Sequence, residues 1–372
     1  MKTYDVAIIG AGINGCALAY ELHKEKQDVI VFEQEEIASG GSGAAGAFIN
    51  PKVTKAGELK ELIEEAYLYS LDFFIQHFSE YTTTAPLLHI AKYLNDNEKV
   101  DYFKEHTALQ TASLPLELQD KLTPYSLEFS SVYLEDNAVV EAKDICESML
   151  QGIKLNKSRV DEAKYVDGYW QFDEHRAKKL VLCTGAYEEV IKEEYINLRC
   201  IYGQRCEVES STIMPATVHH EVSVSATKKN GRIAIGASHY LNNEDVPKDD
   251  EGAQELIKNA LKSVNLADIK VCDTFTGMRS GSNDYLPIVG GLVDSKRSLE
   301  ADKSALEGNK QASLIFYENM YMINGVGGYG FVLAPYLAKL MSNCLVHNEA
   351  IPEFLHPKRF YYRHMKKRGQ NR

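Results

Sequence analysis

The chain of 372 residues is 44% hydrophobic and 25% charged, with a formal net charge of −12, the proportions of an ordinary globular protein with room for one large or two intertwined domains. Its seven cysteines are odd in number and form no Cys-x-x-Cys pair, and its eleven histidines do not cluster, so a disulfide framework, a zinc site and metal chemistry in general are not expected. No apolar run reaches the roughly 18 residues of a membrane span, and a first strand from about Tyr4 leaves no room for a secretory leader, so a cytoplasmic location is expected.

Residues 6–15, Val-Ala-Ile-Ile-Gly-Ala-Gly-Ile-Asn-Gly, are an apolar strand running into Gly10-x-Gly12-x-x-Gly15, and residues 13–24 have the apolar spacing of a helix. This is a dinucleotide-binding turn. Gly10 permits the tight turn, Gly12 lets backbone N–H groups approach a pyrophosphate, and Gly15 lets the helix lie close on the strand with its N-terminal dipole facing the phosphates. A second strand over 29–33 ends in Glu33, where a carboxylate accepts ribose hydroxyls.

Residues 38–47, Ala-Ser-Gly-Gly-Ser-Gly-Ala-Ala-Gly-Ala, are small enough for backbone to crowd a bulky ligand. A strong helix over 57–78 then places Leu59, Leu62, Ile63, Ala66, Tyr67, Ser70, Leu71 and Phe74 on one stripe, which reads as core. Short strands (87–94, 131–134) and helices (97–109, 142–150) follow, and an alternating stretch over 157–166 pairs with 169–172 across a turn at Asp167-Gly168. Residues 179–186 form a buried-type strand ending in Thr-Gly-Ala, where the chain returns to the dinucleotide sheet. From 199 to 236 the sequence is strand-rich, with a hairpin signal at Lys229-Asn230-Gly231 and adjacent His219 and His220 pointing to opposite faces. A helix over 252–264 and strands over 269–276 and 286–293 come next. The cluster Gly325-Val-Gly327-Gly328-Tyr-Gly330 opens a last helix, with Pro335 in its first turn. Residues 357–372 carry seven Lys or Arg and no acid, interleaved with aromatics. Such a tail suits phosphate contacts through Lys358, Arg359, Arg363, Lys366, Lys367 and Arg368, with Tyr361 or Tyr362 stacking on a base; the alternative is a solvated terminal helix. One fingerprint in a long chain, with a second glycine cluster opening another helix, favours FAD over NAD.

Together these residues resemble the FAD-dependent D-amino acid oxidase family, which includes glycine oxidase and sarcosine oxidase. The matching pieces are residues 10–15 with Glu33, 38–47, 180–186, Gly203-Gln204, 277–290 and 325–331. Within the family, residues 39–74 look most like the oxidase half of a bifunctional enzyme that modifies the wobble uridine of tRNA. The resemblance implies an α/β fold: a Rossmann-type, glutathione-reductase-like FAD-binding domain from residues 1–50, 135–195 and 318–356, with an interleaved antiparallel-sheet α+β substrate domain from 51–134 and 196–317. It implies non-covalent FAD held by Gly10, Gly12, Ile13, Asn14 and Gly15, by Glu33 and Gln34, by Ser39, Gly40, Ala45 and Gly46, by Val160, by Thr184 and Gly185, and by Gly325, Gly327, Gly328, Tyr329, Gly330 and Phe331.

The family's reaction takes a hydride from the carbon beside an amine to the flavin, leaving an imine that water hydrolyses, while O₂ reoxidises the flavin to H₂O₂. Arg279 stands where the family places its carboxylate-binding arginine, matched to that group by its guanidinium fork; its structural alternative is an ion pair with Asp284. Ser280 departs from the non-polar residue common after that arginine. Tyr329 is a candidate pocket wall, and Arg205 a candidate substrate contact or a surface strand residue. The implied substrate is the carboxymethylaminomethyl group of a tRNA wobble uridine, giving aminomethyluridine and glyoxylate. The alternatives are a free amino acid or amine such as glycine or sarcosine, or a membrane-docked flavin dehydrogenase or a non-catalytic FAD-binding protein. The bifunctional relative carries a methyltransferase ahead of its oxidase half, so a separate methyltransferase is the expected partner here.

Overall fold

The run Val6–Ile9 has no polar side chain to offer to water, and it becomes the inner strand of a parallel sheet covered on both faces. In the computed structural model, which describes every residue except 56, 173, 188, 189, 371 and 372, five parallel strands lie side by side. Their order is Phe316–Asn324, His175–Leu182, Lys2–Ile9, Val29–Glu33 and Lys154–Lys157. The hairpin Lys164–Val166/Tyr169–Phe172 extends the N-terminal half of His175–Leu182. It turns at Asp167 and Gly168, both with positive φ, as a two-residue hairpin turn requires. Of the stretch 157–166 expected to pair with 169–172, only 164–166 does so, and Lys157 instead ends a strand, Lys154–Lys157, that pairs with Val29–Glu33.

Ile288–Val293 pairs antiparallel with Phe316–Asn324, so this strand belongs to the first sheet and not to the second, where it was expected. Its apolar side chains explain the choice, since Ile288, Val289, Leu292 and Val293 find cover on both sides there.

One face of this sheet is covered by the helices Ile13–Lys24, Glu58–His77, Ala142–Met149 and Gly330–His347, packed on one another. The helix Glu58–His77 buries Leu62, Ile63, Ala66, Tyr67, Ser70, Leu71, Phe73 and Phe74, and the Ser70 hydroxyl donates to the Val332 carbonyl at 2.7 Å. Residues Gly327–His347 are 21 in number with a mean hydropathy of 1.2, long and apolar enough to cross a bilayer by composition alone; this amends the expectation that no such segment exists. Here the composition serves the core, with Phe331, Leu333, Leu337, Met341 and Leu345 buried against the other helices. Pro335 falls in the helix's second turn, not its first.

The opposite face is covered by Tyr195, by Ala305 and Ala312, and by the C-terminal helix Lys358–Gln370, which buries Phe360, Tyr361 and Met365. The basic tail is thus a packed helix over its described residues, with 371 and 372 outside them. Tyr361 is fully buried beside Tyr195 and Arg359 is committed to Asp284, so neither is available to a base or a phosphate as expected.

The second sheet runs Lys270–Ser282, Leu198–Glu209, Ile233–Gly236, Ser223–Val224, Thr217–His219, Leu87–Ile90, Ser131–Leu134 and Thr111–Ala112, with helix Asp249–Ala260 packed against its own core. Its two long strands pair antiparallel from Leu198↔Ser282 to Glu209↔Lys270. A small third sheet of Phe48–Ile49, Ala138–Val140 and Thr82–Thr84 lies between. Four of the seven cysteines, Cys16, Cys146, Cys183 and Cys206, are buried.

Candidate active site

The C-terminal ends of the parallel strands open onto a cavity of about 1020 Å³, where open α/β sheets bind ligands. One end is built by the glycine turn. Gly10 has φ 105°, and a Cβ there would stand 2.4 Å from the Cys183 carbonyl oxygen, so only glycine closes this turn. A Cβ on Gly15 would lie 1.9 Å from the Gly10 oxygen. Gly15 and Gly325 are off the cavity wall. Both shape it from behind, Gly325 against Ile288 and Ser282, which corrects their expected role as contacts.

Gly12, Ile13 and Asn14 do line the cavity, and the Ile13 N–H donates to Ser42 Oγ at 2.9 Å. The Glu33 carboxylate accepts from the Ala11 N–H at 2.8 Å and the Glu35 N–H at 3.1 Å, which fixes it on the wall with Gln34, Val160 and Asp161.

The middle of the cavity is walled by Ser39, Gly40, Ala45 and Gly46, by Thr184 and Gly185, and by Gly327, Gly328, Tyr329, Gly330 and Phe331. The small-residue loop is seated directly on the strand Lys270–Ser282. A Cβ on Gly41 would lie 2.6 Å from the Met278 oxygen, and one on Gly277 2.6 Å from the Ala44 Cβ. Asn324, which sequence reasoning did not single out, ties these walls together. Its Nδ2 donates to the Gly185 carbonyl at 2.9 Å, and its Oδ1 accepts from Ser280 Oγ and the Gly325 N–H, both at 2.8 Å. The unusual Ser280 therefore turns its hydroxyl onto Asn324. A polar residue closing the run Met320–Ile323, just ahead of a glycine cluster, was the available signal.

The other end gathers Arg279, Lys52, Lys99, His89, His219 and His239. Arg279 Nη2 donates to the Ser238 carbonyl at 3.2 Å, while Nη1 is buried with no partner among the described residues. Gly203 leaves the space the guanidinium fills, since a Cβ there would stand 2.4 Å from Nη2. Burial lowers the Arg279 pKa. The anticipated partner Asp284 accepts instead from Arg359 Nε at 3.0 Å and Nη2 at 3.2 Å.

Arg205 is neither a substrate contact nor a surface residue. It is buried in an ion pair with Glu207, stacks 4.0 Å over the Phe275 ring, and donates from Nη2 to the Gly43 carbonyl at 3.0 Å. It braces the small-residue loop from behind.

His219 and His220 do point to opposite sides, the first to the cavity and the second to Ser263. Burial pulls His219 down to about 3 and His89 to about 4, so both are neutral rings. His219 is hydrogen-bonded to Asn50 and Ser223. Burial, with Arg279 nearby, lowers His239 as well. Tyr329 is pushed up to about 12 by burial and stays a neutral phenol, with the Lys52 ammonium 5.4 Å over its ring. The carboxylates on the wall, Glu33 and Asp161, sit at the glycine-turn end; the Arg279 end has cations and neutral rings.

These residues fit a dinucleotide. The turn accepts no side chain at Gly10 or Gly15, a fixed carboxylate closes one end, and Asn14 Oδ1 and Thr184 Oγ1 are buried on the wall without partners among the described residues. Fold and site together define an FAD-binding α/β oxidoreductase. The chain matches the family model described as FAD dependent oxidoreductase (DAO) over residues 5–344, and it belongs to that family.

Among curated proteins it is similar to the tRNA 5-methylaminomethyl-2-thiouridine biosynthesis bifunctional protein MnmC of Legionella pneumophila, 24% identical over 88% of this chain and 52% of that one. The protein of the same name from Leptospira interrogans is 24% identical over 97% of this chain and 61% of its own length. The chain thus spans between half and two thirds of these relatives. Glycine oxidase from Geobacillus kaustophilus superposes with a TM-score of 0.76 at 18% identity, covering 95% of this chain and 97% of that structure. Iminodiacetate oxidase from Chelativorans sp. BNC1 gives 0.71 at 18% identity, covering 95% and 98%.

Proposed function

We propose that the chain oxidises the C–N bond of an N-substituted glycine, and that its substrate is the carboxymethylaminomethyl group of a tRNA wobble uridine. The observation that carries this reading is Arg279, a half-buried guanidinium on the cavity wall whose buried Nη1 is unpartnered, with no carboxylate in ion-pair reach among the described residues. A glycine carboxylate offers that fork two acceptors. FAD, when bound, supplies the two-electron acceptor. The chain's own residues orient and enclose: Arg279 fixes the carboxylate, Tyr329 and the glycine cluster exclude water, and the neutral histidines add no charge to compete with it.

The balanced reaction consumes one O₂ and one water and yields the amine, glyoxylate and H₂O₂. O₂ as acceptor, a separate methyltransferase acting on the amine, a cytoplasmic location and the wall residues named above as FAD contacts belong to the same proposal. So does a division into cofactor-binding pieces (1–50, 135–195, 318–356) and substrate-binding pieces (51–134, 196–317), amended by the strand Ile288–Val293. The relatives named for tRNA biosynthesis support the uridine substrate. The guanidinium that would take its glycine unit would also take free glycine or sarcosine, which is the second reading.

The test is aerobic incubation of the holoenzyme with undermodified tRNA, followed by nucleoside analysis and a glyoxylate assay. Aminomethyluridine and glyoxylate in equal amounts are expected. Intact tRNA alongside rapid glycine or sarcosine consumption would overturn the first reading in favour of the second.

A further inference from the structure

Beside the Arg279 end of the cavity, one large aromatic ring is left in solvent. Tyr285 is 64% exposed and sits at φ 65°, a left-handed conformation that costs a bulky residue energy and that surrounding contacts must enforce. Those contacts are in place. The preceding Asp284 accepts from Ser282 Oγ at 3.0 Å, from the Leu286 N–H at 3.3 Å and from two nitrogens of Arg359. Arg359 also donates to the Leu286 and Pro287 carbonyls. A clamped turn thus holds an aromatic side chain outward, where burial gains it nothing.

The charges beside the ring are mostly positive. The Arg199 guanidinium lies 5.1 Å over it. Lys52, a cavity-wall residue, is within electrostatic reach of the Tyr285 hydroxyl and of Lys99 on the same wall. Lys99 has an ion pair with Asp96 at 3.4 Å, whereas Arg199 and Lys52 have none among the described residues. Cations gathered beside an exposed ring, with fewer carboxylates than cations, are the pattern that binds single-stranded nucleic acid: rings stack on the aromatic while phosphates meet the charges.

We infer that Tyr285, with Arg199 and Lys52 beside it, is a stacking platform for a nucleotide next to the one whose glycine unit enters the cavity. This rests on the proposed RNA substrate and adds to it the surface that would receive the flanking loop nucleotides. Tyr285 acts in docking and not in the chemistry, so its removal would separate the two.

The experiment compares wild-type holoenzyme with Tyr285→Ala, Tyr285→Phe and Arg199→Ala. It measures binding of a fluorescent, unmodified anticodon stem-loop RNA at several salt concentrations, with sarcosine turnover as the small-substrate control. Tyr285→Ala is expected to weaken RNA binding roughly tenfold or more, with Tyr285→Phe near wild type, as stacking predicts. Arg199→Ala is expected to flatten the dependence of log affinity on log salt by about one. Sarcosine turnover should be the same in wild type and the Tyr285 variants. RNA binding indifferent to Tyr285, absent in the wild type, or lost in parallel with sarcosine turnover overturns the platform. RNA that binds through Tyr285 while its modified uridine stays unoxidised would retire the proposed reaction and leave the platform standing. Uridine oxidation with Tyr285-independent binding would do the reverse.

Discussion

Arg279 occupies the space that Gly203 leaves by lacking a side chain and, among the described residues, has no carboxylate within ion-pair reach and no partner for Nη1. A half-buried guanidinium left in this state has part of its desolvation cost uncompensated until an anion arrives, which is how a pocket gains selectivity for a carboxylate. Arg279→Ala should keep bound, yellow FAD and lose on the order of 2–3 kcal/mol of transition-state binding for carboxylate substrates, a drop of about 30- to 150-fold in kcat/KM. Arg279→Lys should recover only part of that, because a point charge does not reproduce the fork; steady-state kinetics on sarcosine checks both. His219 and His89 set a different residue-scale expectation. Unfolded histidines protonate near 6.5, while these two stay neutral down to about 3 and about 4. The unfolded state therefore binds more protons in that window, and stability present at neutral pH is lost as pH falls below about 6.5. Stability should be lower at pH 5 than at pH 7.5 by on the order of 1–2 kcal/mol per histidine, seen in thermal melts as a lower Tm. His219→Gln should flatten the dependence.

Among the elements, the small-residue loop and the strand bearing Arg279 form one unit. Gly41 and Gly277 allow backbone contact between them, Arg205 braces the loop through the Gly43 carbonyl, and Asn324 joins Gly185, Gly325 and Ser280. Asn324→Ala removes three hydrogen bonds inside a buried site, leaving groups unsatisfied at about 1–3 kcal/mol each. It should lower Tm and loosen FAD retention together, read as the ratio of flavin to protein absorbance after gel filtration. Retained flavin with an unchanged melt would remove Asn324 from this role. The glycine turn at 10–15 and the stripe from Leu62 to Phe74 were legible in sequence because both are local patterns, one of spacing and one of helical period. Asn324 and Arg205 were not, because their partners lie 139 and 162 residues away in the chain. The side chain looks polar and generic until the fold brings those carbonyls to it.

For the molecule as a whole, the two sheets meet at the cavity, and the last helix is part of the wall behind the first sheet. The basic character of residues 357–372 suggested a loose tail, because positive charge is visible in sequence and the apolar stripe of Phe360, Tyr361 and Met365 is easily overlooked among it. Packing decided otherwise: Tyr361 fits against Tyr195, and Arg359 clamps Asp284. Tyr361→Ala should cost about 3–5 kcal/mol in denaturant unfolding, the scale of a deleted core aromatic. Truncation before residue 357 should destabilise the protein broadly, with no selective loss of RNA binding. The central claim is that a half-buried guanidinium with no ion-pair partner among the described residues receives the carboxylate of an RNA-borne glycine unit in an FAD oxidoreductase. It is tested most directly by mixing holoenzyme anaerobically with tRNA bearing carboxymethylaminomethyluridine and following the loss of visible flavin absorbance, in wild type and Arg279→Ala. Rapid bleaching by this tRNA in the wild type, lost in the variant while its flavin stays bound, is the predicted result; bleaching that persists without Arg279, or that only a small free amine produces, would contradict it.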